Sequence, residues 1–76
     1  MAYVTDIPPN YSARFMIGDR VKENRPIYNT GKTGTVIGYR KPGIIEYGIL
    51  VIPLQIAVKF DDGSEEVLQD RYLAKV

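Results

Sequence analysis

The chain contains no cysteine and no histidine. Disulfide staples are therefore excluded, and zinc and iron–sulfur chemistry lose the thiolate and imidazole ligands they draw on. Nucleophilic catalysis by a Cys–His pair or a Ser–His–Asp arrangement is equally excluded, and Ser12 and Ser64 have no evident base beside them. Long apolar runs are also missing. The longest, around Ile49 to Leu54, is far too short to cross a bilayer. Met1 to Arg14 has no basic start followed by an apolar stretch, and Pro8-Pro9 interrupt it, so no secretory leader is read there. A cysteine-free chain fits a reducing compartment, and the expectation is a cytoplasmic protein with no membrane partner. An excess of one charge is absent too: 10 basic and 9 acidic side chains leave a formal net charge of +1. Proteins that coat nucleic acid by neutralising phosphates are normally far more basic, so only a local basic face is left for that role.

What is present is 76 residues, enough for one domain. A domain of this size buries about 60% of the surface its unfolded chain exposes. Its core is thin, and with disulfides and soft metals gone, self-association is the remaining staple. No internal repeat is visible. Residues 1–14 read as an extended N-terminal arm, without period, carrying Tyr3, Val4, Ile7 and Tyr11 as docking side chains. Residues 15–76 read as a β domain, because short runs of β-type residues alternate with Gly, Pro, Asn and Asp turn signals. Phe15 to Glu23 is the first run, bent at Gly18-Asp19, with Val21 inward. Asn24 to Thr33 is loop. Gly34 to Arg40 is the second strand, on which strict alternation places Thr35, Ile37 and Tyr39 on one face and Val36 and Gly38 on the other. Gln55 to Phe60 alternates most clearly, with Ile56, Val58 and Phe60 sharing a face. Asp61-Asp62-Gly63 then signals a hairpin, since Asp and Gly tolerate positive φ. Ser64 to Leu68 returns antiparallel, Gln69 to Tyr72 forms one tight helical turn, and Leu73 to Val76 closes the sheet.

Lys41 to Leu54 stands apart. It lies between the second and third strands and is mostly apolar where a solvated loop would be polar. Either it folds over an open end of the core, or it offers Ile44, Ile45, Tyr47 and Ile49 to Ile52 to a partner.

Gly18-Asp19-Arg20-Val21, followed by Gly31-Lys32-Thr33-Gly34-Thr35-Val36, resembles the KOW motif of ribosomal and transcription-elongation proteins. With the hairpin, the helical turn and the closing strand, the similarity to five-stranded SH3-like barrels covers residues 15–76. It implies an all-β barrel that binds RNA or protein. Phe15 to Val21 and Thr35 to Tyr39 are also similar to type II dihydrofolate reductases. Where those enzymes line their pore with Val-Gln-Ile-Tyr, this chain reads Glu66-Val67-Leu68-Gln69-Asp70, which lacks the motif.

The expected role is a non-catalytic accessory module that docks onto a larger protein or nucleoprotein assembly, or onto itself. Its partner-binding residues are expected to be Tyr39, Arg40, Lys41, Ile44, Ile45 and Tyr47, since tyrosine, arginine and apolar side chains anchor interfaces. The alternative is direct RNA or DNA contact through Arg20, Lys22, Arg25, Tyr28 and Lys32, with charges on phosphates and rings under bases. That alternative expects the acidic hairpin elsewhere on the molecule. A reductase is the remote alternative. No cofactor, metal or small-molecule substrate is expected. Asp61, Asp62, Glu65 and Glu66 lack calcium-loop spacing, and Gly31-Lys32-Thr33 lacks the upstream glycine of a phosphate loop. Glu65 and Glu66 point to opposite faces of their strand, so they cannot act as a dyad.

Overall fold

The computed structural model of the chain describes residues 3–42 and 52–76. In chain order its strands are β1 (Tyr11–Ser12), β2 (Arg20–Glu23), β3 (Thr33–Arg40), β4 (Ile52–Pro53), β5 (Gln55–Phe60), β6 (Glu65–Gln69) and β7 (Leu73–Lys75), with one 3-10 turn at Asp70–Tyr72. Five of them form one antiparallel sheet in the order β6–β5–β3–β2–β7. Its edges, β6 and β7, do not pair with each other. β1 and β4 make a separate parallel pair. Among the described residues no helix is long and apolar enough to cross a membrane.

β5 lies between β3 and β6, and its sequence explains the place. Ile56, Val58 and Phe60 all turn into the core, while Lys59 faces solvent. β-Branched and aromatic side chains suit such a pleated, buried surface, and burying each contributes about 1.5–3 kcal/mol. The turn after β5 follows the hairpin reading. Gly63 takes φ +93°, its amide donates to Phe60 O at 2.9 Å, and Asp62 Oδ1 accepts from the Ser64 amide at 2.9 Å.

β3 departs from simple alternation. Val36 opposes Val58, but Gly38 opposes Ala57, which leaves Ile37 as the extra residue of a β-bulge. Every residue after the bulge changes face. Tyr39 therefore joins Val36 in the core, only 1% exposed, with its hydroxyl donating to Phe15 O at 2.8 Å. The expectation of Tyr39 beside Thr35 and Ile37, at a binding surface, is corrected by this one inserted residue. Burial raises the Tyr39 hydroxyl above its usual pKa, an effect the backbone hydrogen bonding around Ile17 opposes.

Phe15, Val21, Leu54, Leu68 and Leu73 complete the core. The N-terminal arm is bonded to it at both ends. Val4 and Tyr39 exchange two backbone hydrogen bonds of 2.8 and 3.0 Å. Further along, Asn10 O accepts from Ile52 N at 3.0 Å and Ser12 O from Leu54 N at 2.9 Å. The apolar stretch thus ends inside the fold at Leu54, while residues 43–51 lie outside the described residues.

β3 and β5 separate β2 from β6 in the sheet. Arg25, two residues past β2, reaches across them and places Nη2 3.1 Å from Glu66 Oε1 on β6.

Candidate binding surface

The β2–β3 loop, residues 24–32, is shaped by a carboxylate that alternation sends inward. Glu23 follows Val21 on the core face of β2, opposite Leu73, and is 3% exposed. Its Oε1 accepts from the Thr30 hydroxyl, and its Oε2 lies 2.8 Å from Arg25 Nε. The Arg25 Nε–H is out of line with that oxygen, so the contact is a close charge pair rather than a hydrogen bond. The loop is held by its backbone as well: Glu23 N donates to Lys32 O and Asn24 N to Tyr72 O, both at 2.8 Å. Within it, Gly31 N donates to Asn29 Oδ1 at 3.1 Å, and Gly31 takes φ +66°.

So anchored, the loop holds Ile27 and Tyr28 out to solvent, 68% and 91% exposed. Tyr28 sits at φ +57°, a left-handed conformation rare for an aromatic residue. Below the pair, a cleft of about 270 Å³ is lined by Arg25, Pro26, Ile27 and Tyr72. Tyr72 comes from the 3-10 turn, and the Arg71 guanidinium lies 5.0 Å from its ring centre. A smaller cleft of about 90 Å³ is lined by Pro42, Pro53, Leu54, Gln55, Gln69 and Asp70, with no exposed aromatic among the described residues that line it.

The basic residues are placed differently from the expected open face. Arg20 holds Asp61 with two hydrogen bonds, 2.8 and 2.6 Å, and Lys32 Nζ lies 3.1 Å from Asp62 Oδ2. The acidic hairpin, expected elsewhere, lies across these cations because Phe60 pairs with Gly34 and Gly34 with Val21, so β5 ends level with the residues next to Arg20 and Thr33. Hydrogen bonds from Arg20 and Thr33 hold Asp61 down to about 2, and those from Ser64 and Lys32 do the same for Asp62. Arg25 is taken by Glu23 and Glu66. Of the five residues considered for nucleic acid, Lys22 and Tyr28 are exposed without an ion pair among the described residues. Arg40 and Lys41 are exposed, Arg40 donating to Gln55 Oε1 at 3.2 Å and Lys41 Nζ 5.7 Å from the Tyr11 ring centre. Ile44, Ile45 and Tyr47 lie outside the described residues.

Sequence reasoning missed Ile27, Tyr72 and the inward Glu23. Two signals were present: an apolar pair in an otherwise polar loop, and a glutamate in step with Val21 on one strand. Fold and surface together define a small all-β domain on one five-stranded antiparallel sheet, with an apolar cleft beside its longest described loop. No family model, no curated protein and no solved structure matches the chain.

Proposed function

We propose that the chain is a small non-catalytic binding module that docks onto a protein partner through the β2–β3 loop and the adjoining 3-10 turn. The observation that carries this reading is the pair Ile27–Tyr28. A small domain gains nothing in its own core from an apolar and an aromatic side chain fixed in water beside an open cleft, whereas a partner that covers them does. Tyrosine is among the side chains that dominate binding energy in interfaces, and Tyr72 lines the cleft beside the exposed Tyr28 loop. A backbone outlier at Tyr28 points the same way, since strain persists at sites where it is used.

The finer fold reading, an SH3-like barrel with a KOW-like start, is supported by the strand order β6–β5–β3–β2–β7, by the 3-10 turn before β7 and by the ion pair that joins Arg25 to Glu66 across the sheet. Nucleic-acid contact finds less support, because three of its five residues are neutralised by neighbouring carboxylates.

Selection from a displayed library of random peptides tests the proposal. Peptides with apolar or aromatic side chains are expected to enrich, and Ile27→Asp is expected to weaken their binding about tenfold or more, a loss of about 1.4 kcal/mol, with an unchanged circular dichroism spectrum. Enriched peptides that bind Ile27→Asp as tightly as the parent chain would overturn it.

A further inference from the structure

We infer that Glu23 is the positioning residue of this surface: a buried carboxylate that straps both ends of the β2–β3 loop and thereby sets Ile27 and Tyr28 in the conformation they present. The binding half of this inference rests on the function proposed above; the strap itself does not.

The position asks for an apolar side chain. Glu23 alternates with Val21, faces the core and opposes Leu73 across the β2–β7 pair. A carboxylate there is unfavourable unless its oxygens are engaged. Both are, and by residues that bracket the presented pair. Arg25 lies two positions after Glu23 and Thr30 seven, with Ile27 and Tyr28 between them. One side chain therefore closes the loop from within, at a point where solvent competes little. Arg25 passes the connection on to Glu66, so the strap is also fixed to the far edge of the sheet.

The strained residue lies inside the span so closed. An exposed tyrosine at φ +57° relaxes to the ordinary β or α region unless its surroundings over-determine it. Its own side chain, 91% exposed, does little to hold it there. The restraints are the Asn29–Gly31 turn, the backbone bonds of Glu23 to Lys32 and Asn24 to Tyr72 at the loop's ends, and the Glu23 strap, whose Thr30 and Arg25 contacts flank Tyr28. A loop held in its bound form before the partner arrives loses less freedom on binding.

The test compares Glu23→Gln, Thr30→Val and Thr30→Ser in the full chain by ¹⁵N relaxation, and then by affinity for the selected peptides. Thr30 is exposed, so its variants keep the question open to experiment should Glu23→Gln fold poorly. Order parameters at residues 27–31 are expected to fall from about 0.85 towards 0.6 in Glu23→Gln and Thr30→Val, with β3 and β5 unchanged. Thr30→Ser, which keeps the hydroxyl, is expected to match the parent. If the presented conformation falls to about one third of the population, the apparent Kd rises about threefold. A loop that stays rigid in both Glu23→Gln and Thr30→Val overturns the strap. A loop that loosens while every peptide binds as before leaves the strap standing and overturns the binding role assigned to the loop.

Discussion

A methyl group added at Gly34 would lie 2.6 Å from the Lys59 carbonyl oxygen and 2.8 Å from the Phe60 Cα. Both are backbone atoms of β5, fixed by the register that pairs Gly34 with Phe60. Nothing there can yield without prising β3 from β5. Gly38, four residues on, meets a different obstacle: an added methyl would lie 2.8 Å from the Tyr3 Cβ, in the arm rather than the sheet. Gly34→Ala is therefore expected to cost about 1–3 kcal/mol of global stability, the usual penalty of overpacking, read from urea unfolding. Gly38→Ala is expected to cost less and to act locally, speeding hydrogen exchange at the amides of Val4 and Tyr39 while leaving those of β5 and β6 as they are. Equal losses of global stability in the two variants would contradict the distinction.

Among the elements, the β5–β6 turn has the clearest electrostatic signature. Asp61 and Asp62 titrate near 2 in the folded chain, below the usual 3.8, through hydrogen bonds from Arg20 and Thr33 and from Ser64 and Lys32 respectively. A depressed carboxyl pKa stabilises the fold above the unfolded value and loses that contribution as pH falls through the folded one. The urea midpoint is thus expected to hold down to about pH 4 and to decline between pH 4 and 2, less steeply in Asp61→Asn. The groups are exposed, so added salt should shrink the effect; a midpoint indifferent to pH over that window would remove it. The turn itself was legible in Asp61-Asp62-Gly63, as was the inward set Ile56, Val58 and Phe60, because both depend on local chemistry and strict period two. The position of the turn over Arg20 and Lys32 was not, since it depends on pairing between strands distant in sequence. The bulge at Ile37 had one local sign, Gly38, since a glycine inside a strand often marks a bulge. Strict alternation passed over it, and one inserted residue carries Tyr39 from the surface to the core. Of the candidate surface, the loop was legible as a loop and Tyr28 was singled out in it, as a nucleic-acid contact, whereas the cleft needs Tyr72 from the other end of the chain.

At the scale of the whole molecule, a thin core depends on elements that look peripheral. Tyr3 stands over Gly38, and Ala57, the partner of Gly38 in the sheet, is fully buried. The two backbone bonds between Val4 and Tyr39 hold the arm in place. Deleting Met1 to Asp6 removes all of these contacts. With about 1 kcal/mol for each hydrogen bond lost, the deletion is expected to cost about 2 kcal/mol, a large share of the stability of so small a domain. The melting temperature should fall by roughly 10 °C. The same geometry predicts how the deletion combines with Gly38→Ala. In the intact chain the methyl collides with Tyr3; in the truncated chain it meets no such obstacle, and Gly38 does not occupy the positive-φ region that would strain an alanine. The substitution should then turn from destabilising to neutral, or to stabilising by about 0.4–1 kcal/mol through the reduced freedom of the unfolded chain. Two changes that remove one shared contact are non-additive, so the melting temperature of the double variant should be no lower than that of the deletion alone. Additive losses would mean that Gly38 is constrained by the sheet and that the arm does not lie over it.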